Sequence, residues 1–396
     1  MTEISYYSIN NEICVGNGKD PAIDPSFTGN LNIDKYEGFS VVRISSYAFY
    51  KCSITNITLP DSIISIGDYS FASSNIESIT LGSHLIKIGR NAFSGSKIKF
   101  ANLSLTKLRN SVGSSIFYNS KLEEILLPDS LEVFVYEFLS HTPLKRIKIP
   151  RSLTTFSPYC FLGLQNLSVI ESDSPYFVVY DGVLYSSDFQ TVYRVPSNFT
   201  GQLAPTTKFV ADCSVFSGCL FSNYKVEAPL QTLGNSMFRL CYNLRNLDLS
   251  QTVATNFPIE ILRDCKLDSL VLPDTLTYIS NDIICFGSLK KLVIPASVRS
   301  VGQGILSFAS VQSIEYCGVY QLDCKPVGTP LLYVSSAYKY STFFGFDSFS
   351  STLTGCLPAR TPIMTPSRTP ICFQSVSCFK IQNFLSYSTF IVFILM

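Results

Sequence analysis

A repeat solenoid, mostly β and closed along one side by a parallel sheet, is the fold class that this sequence predicts, and three observations predict it. The stretch Ile54 to Ser96 carries one pattern twice at an offset of 22 residues: Ile54-x-x-Ile57-x-Leu59-Pro60 returns as Ile76-x-x-Ile79-x-Leu81-Gly82, Ile66-Gly67 as Ile88-Gly89, and Phe71 as Phe93. A phenylalanine then recurs along the chain, at Phe49, Phe71, Phe93, Phe117, Phe138 and Phe161, resumes at Phe216 and Phe238, and degenerates to Leu262 and Phe286. Third, the apolar triplet is copied from Leu122, Leu144, Leu244, Leu267 and Leu289, four of the five copies ending in Pro128, Pro150, Pro273 or Pro295. A period of about 20–29 residues with L-x-x-L-x-L spacing marks a leucine-rich repeat solenoid. The class is an α/β-type repeat, mostly β with an irregular convex side and a parallel sheet on the concave face.

Taken in order, residues 1–40 hold Gly16, Gly18, Pro21, Pro25 and Gly29 without a period and read as an N-terminal cap or lead-in. Residues 41–170 are the N-terminal repeats. In each, alternating apolar side chains make a short strand, and the following proline, unable to donate to the ladder, ends it. The Ile-Gly and Ala-Phe segments are expected to turn on the opposite side and to fill the interior with an aromatic spine. Between Phe161 and Phe216 the step is 55 residues, too long for two repeats. Within it Asp181-Gly182 separates two β-rich runs, a strong hairpin signal. Residues 171–200 are therefore a β-hairpin island that splits the array. Residues 201–318 are the C-terminal repeats and 319–347 a C-terminal cap. Residues 348–370 are a Ser/Thr/Pro-rich linker with Thr361-Pro362, Thr365-Pro366 and Thr369-Pro370. The last stretch, 371–396, ends in the apolar run Phe384 to Met396, 13 residues against the roughly 20 that a spanning helix needs. It reads either as a short membrane anchor or as an irregular apolar tail.

Composition narrows the function. Charged residues are 15% of 396, below the roughly 25% of an average soluble domain, and the net charge is +1. No global field favours nucleic acid or an anionic membrane. The 13 cysteines lack C-x-x-C pairs. Cys52, Cys219, Cys241 and Cys265 fall a few residues after the repeat's phenylalanine or its apolar substitute, which places them inside the stack as buried thiols rather than metal ligands. There is no phosphate-binding glycine loop, no G-x-S-x-G elbow, and only His84 and His141 to serve a nucleophile. Neither an enzyme nor a cofactor is implied.

The consensus I-x-x-I-x-L-P-x-S-(I/L)-x-x-I-G-x-x-(A/S)-F, carried by Ile54 to Phe71, Ile76 to Phe93 and Leu289 to Val301, resembles the BspA-like leucine-rich repeat family. The run Asp181 to Tyr185 resembles an island that recurs in that family's arrays. The resemblance implies a cell-surface or secreted protein, adhesin-like or antigen-like, that binds a protein or glycan partner and has no catalytic residues. Against it stands the N-terminus, which has no apolar leader, so a cytoplasmic scaffold for protein interactions is the alternative.

Recognition is expected on the outward positions of the strands. Its candidates are Phe100, Glu123, Glu124, Lys145, Arg146, Lys148, Arg245, Lys290 and Lys291. The bland reading is that Glu123 and Glu124 simply pair with Lys145 and Arg146 across strands about 5 Å apart, and Asp268 with Lys290. Sequons at Asn56, Asn102, Asn166 and Asn198 are candidate N-glycosylation sites if the chain is exported. Asn56 and Asn102 fall on the same outward face, so glycans there would cover part of it.

Overall fold

The computed structural model describes residues 4–9, 12–157, 159–211, 214–306, 309–324, 328–350 and 353. All regular structure among them is short β-strand, with no helix. The linker, beyond residues 348–350 and 353, and the apolar tail lie outside the described residues.

The apolar triplets form the long sheet face, which the hydrogen-bond ladder divides into four parallel runs. Gly29–Asn32, Ile54–Thr58, Ser78–Thr80, Phe100–Asn102 and Glu124–Leu126 pair in parallel succession, and Arg146–Ile149 pairs with Val169–Ser172. In the second half Asn223–Lys225, Asn246–Asp248 and Ser269–Val271 form one run, and Ser288–Ile294, Ser310–Tyr316 and Leu331–Val334 another. The sheet thus takes a strand from each expected cap, Gly29–Asn32 and Leu331–Val334.

The Ile-Gly segments do more than turn. Ser65–Ile66 and Lys87–Ile88 pair in parallel with each other, and Ser65–Ile66 pairs with Phe39–Ile44, forming a second sheet. Successive coils approach so closely here that a Cβ on Gly89 would lie 2.5 Å from the Asp68 nitrogen, and one on Gly67 2.4 Å from that of Ser46. That contact explains the glycine in the consensus. The consensus serine has a job as well: the Ser62 and Ser130 hydroxyls each donate at 2.7 Å to a carbonyl of the preceding coil, Val41 O and Leu108 O.

The turn side is built on left-handed backbone. In coil after coil the residues two before and two after the spine residue have positive φ: Tyr47 and Lys51, Tyr69 and Ser73, Ser236 and Leu240, Glu260 and Asp264. A non-glycine residue in this conformation costs roughly 1–2 kcal/mol. It is tolerated because it aims three N–H groups per turn at the next coil. Tyr47, Phe49 and Lys51 donate to Asp68, Ser70 and Ala72 carbonyls at 3.0, 2.7 and 2.9 Å.

Inside, the aromatic spine is real. Phe49, Phe71, Phe93 and Phe117 stack with centroids 5.0, 5.2 and 5.3 Å apart, and Phe216 stacks on Phe238 at 5.0 Å. Two of the expected spine positions are corrected by the hydrogen-bond register. Phe117 N donates to Phe138 O, so Leu139, and not Phe138, is the residue in step, although both are buried. Leu262 N donates to Ile283 O, which puts Ile284 in the spine; Phe286 points outward, 54% exposed, beneath the Arg263 guanidinium. A spine position needs bulk and apolarity at the right register, and an aliphatic residue at the right place outcompetes an aromatic one or two residues away.

Cys52, Cys219, Cys241 and Cys265 are free and buried. They stand three residues after the spine residue, in the column that other coils fill with Ser74, Ser96 and Thr142. Those hydroxyls donate to their own turn's carbonyl, while the thiols of Cys241 and Cys265 donate to the preceding turn, at 3.0 and 3.1 Å. Cys317 is disulfide-bonded.

The island is a meander. Phe177–Tyr180 and Val183–Ser186 pair antiparallel about Asp181 and Gly182, both with positive φ. Thr191–Arg194 continues antiparallel and then pairs in parallel with Phe209–Val210. Its two faces belong to two cores. Phe177 and Leu184 pack in the N-terminal hydrophobic cluster, whereas Val183, Tyr185 and Val192 pack in the C-terminal one. The strands of the island are therefore mainly a layer between arrays rather than a displayed surface.

Candidate functional site

The outward positions of the long sheet, or the residues just before its strands, hold the nine recognition candidates. Phe100 is half-buried in Phe100–Asn102, beside Ser78 on one side and Glu124 on the other. Arg146 and Lys148 are exposed on the strand two coils on, Arg146–Ile149, and Lys145 is exposed just before it. Strand alternation puts them there, with Ile147 and Ile149 turned into the core.

Their cationic groups are neutralised. Lys145 Nζ lies 2.5 Å from Glu123 Oε2, Arg146 Nη2 3.2 Å from Glu171 Oε1, and Lys148 Nζ 2.7 Å from Asp173 Oδ2. The expected pairing of Glu123 with Lys145 and of Asp268 with Lys290, at 2.7 Å, is present. Pairing of Glu124 with Arg146 is not: Arg146 stands opposite Val169 and reaches the diagonal carboxylate of Glu171, which leaves Glu124 exposed and without an ion pair among the described residues. Lys291 meets Glu315 at 2.5 Å. Arg245 directs its guanidinium at backbone, donating to the carbonyls of Lys266, Tyr242 and Leu244 at 2.9, 3.1 and 3.3 Å. The carboxylates missed from the sequence, Glu171 and Asp173, could have been found by carrying the strand pattern one coil past Lys148 to Val169–Ser172.

The pairs move protons as their geometry dictates. The hydrogen bond and charge of Lys145 hold the Glu123 carboxyl below the usual range, and Asp173 raises the Lys148 ammonium. These groups are in water, where solvent screening leaves an exposed pair little net stabilisation. Where the ends of three strands meet, Leu126, Leu127, Asp129, Lys148, Pro150 and Asp173 line a hollow of about 330 Å³. A second, of about 240 Å³, lies between Asn223, Lys225, Asn246 and Ser269.

Neither histidine is poised for nucleophilic work. His84 Nδ1 faces Asp61 Oδ2 at 3.0 Å and Ser83 Oγ at 3.5 Å, so one nitrogen meets both groups and no relay across the ring forms. Burial pushes the His141 imidazole below its ordinary pKa, and the ring lies edge-on to Tyr118 at 5.5 Å. Among the described residues no three His, Cys, Asp or Glu side chains converge to hold a metal.

Of the sequons, Asn56 and Asn102 lie in strands of this face and Asn166 and Asn198 in exposed turns. The Asn56 amide donates to Asn30 Oδ1 at 2.8 Å, and Asn102 Oδ1 accepts from the Ser104 nitrogen and hydroxyl of its own sequon.

A solenoid of coils about 22 residues long, with stacked phenylalanines and an outward sheet face, defines a leucine-rich repeat protein. More narrowly, the chain belongs to the BspA type leucine rich repeat family, whose model matches six copies over residues 42–198 and 211–323. A leucine rich cell surface protein from Faecalibacterium prausnitzii superposes with a TM-score of 0.57 at 21% identity, over 80% of this chain and 95% of its own. The pneumococcal vaccine antigen PcpA superposes with a TM-score of 0.61 at 20% identity, over 85% and 95%. At such identities the likeness is one of fold. No curated protein sequence matches the chain.

Proposed function

We propose that this chain is a non-enzymatic recognition protein, adhesin-like or antigen-like, that works at a cell surface by presenting the long sheet to a protein or glycan partner. One observation carries the reading. The rows from Thr55 to Glu315 are outward, mostly polar and mostly exposed, while the inward residues of the same strands make the core. The coils thus devote half of each strand to a surface that folding does not need. The family and the described surface location of a structural neighbour support the setting. The full chain is expected to bind cells or matrix, and reversing Lys145, Arg146 and Lys148 to Glu is expected to weaken that binding. Unchanged binding in the triple variant removes this stretch from the site. A second reading, an intracellular scaffold, draws on the free, buried thiols of Cys52, Cys219, Cys241 and Cys265. Surface biotinylation with a protease-shaving control separates the two; a fully protected chain would sink the first.

A further inference from the structure

Arg194 is a buried cation with no carboxylate on it. Its side chain is fully enclosed, 0% exposed, and no ion pair reaches it among the described residues. Instead its two terminal nitrogens donate to backbone carbonyls on both sides of the long step in the repeat. Nη2 reaches Leu164 O at 3.0 Å in the last N-terminal turn and Ser217 O at 2.9 Å in the first C-terminal turn; Nη1 reaches Ser214 O at 2.8 Å.

The carbonyls it meets are not arbitrary. In regular coils the N–H two residues after the spine donates to the carbonyl one residue after the next spine position: Lys51 to Ala72, Ser73 to Ser94, His141 to Leu162, Gly218 to Arg239, Leu240 to Arg263. By that rule Gly163 should donate to Ser217 O. It donates instead to the Ser217 hydroxyl at 3.2 Å, and Arg194 takes the carbonyl. The spine-level bond is replaced too, since Val215 O accepts from Val195 N at 3.0 Å. The island coil brings no phenylalanine turn of its own, and Arg194 with Val195 supplies donors in its place. Around this point the hydrophobic core divides into its two clusters, with island side chains in each.

We infer that Arg194 and the island sheet are a coupling joint: a guanidinium standing in for a missing turn, which makes two repeat arrays fold and unfold as one unit. The inference is independent of the partner proposed above. In a solenoid, cooperativity passes only through nearest-neighbour interfaces, so one defective interface divides the array. Arginine suits the place because a rigid fork of donors can satisfy several carbonyls at once, and leaving those carbonyls buried and unmet would be costly.

Urea unfolding of the full chain followed by hydrogen exchange and mass spectrometry reads the coupling. In the native chain, amides of the Phe49–Phe93 turns and of the Phe216–Leu262 turns are expected to lose protection at one midpoint. In Arg194→Lys, which keeps a cation but loses the fork, and in Arg194→Met, the midpoints are expected to separate. Under native conditions exchange at Gly163 and Val195 is expected to rise at least tenfold while Phe71 and Phe93 are unchanged. Two midpoints in the native chain overturn the inference without any variant. So does a single midpoint in both variants, or a uniform loss of protection along the chain, which would mark a general core defect rather than a joint.

Discussion

Ser73 sits at φ 56° with its side chain in solvent, and the next coil carries Gly95 at the same place at φ 65°. Glycine relieves the left-handed strain but adds freedom to the unfolded chain, and the first effect is the larger, so Ser73→Gly is expected to stabilise by about 0.5–1 kcal/mol in urea melts. The ion pairs act differently, because they are governed by protons. Glu123 has its carboxyl held down by Lys145, so its folded pKa lies below its unfolded one. The pair's contribution is therefore present above the unfolded value and fades as pH falls through the folded value. In Lys145→Gln the Glu123 titration, followed by carboxyl carbon NMR, should return toward the ordinary range; no movement would mean that the pair is not formed in solution. The Glu123–Lys145 pair follows from the spacing of the strands, whereas the strain at Ser73 is a property of the folded turn.

At the scale of one coil, the consensus letters resolve into separate physical tasks: alternation builds the long strand, serine ties it to the preceding coil, glycine admits the close approach of the second sheet, and the spine residue fills the interior. The pattern was legible because each task demands a side-chain type at a fixed offset. Register was less so. Counting phenylalanines leads to Phe286, whereas the hydrogen-bond ladder leads to Ile284. Truncation separates them: Ile284→Ala is expected to cost about 2–5 kcal/mol as a buried cavity, and Phe286→Ala under about 1 kcal/mol as a lost ring beneath Arg263. Equal effects in thermal melts would contradict the register. Gly89 and Asp181-Gly182 show the same division, since the residues announce a constraint while the neighbouring coil supplies its reason.

For the whole molecule, charge and core tell two different stories. Net charge is +1, and the cations of the expected basic stretch each meet a carboxylate. Retention of the full chain on a heparin column should therefore be weak at about 0.15 M salt, because few counterions are released when cations are already paired; tight retention would mean that the pairs open for a polyanion. By itself the sequence determined the period, the strand positions, the spine as a column, the burial of Cys52, Cys219, Cys241 and Cys265, and the presence of a hairpin at Asp181. These follow from local spacing, which every coil repeats. Only the tertiary structure decided that Arg194 spans the gap between arrays and that the island is a shared layer between two cores. Those outcomes depend on which coil lies against which, a neighbour relation that the 55-residue step hides from any count along the chain.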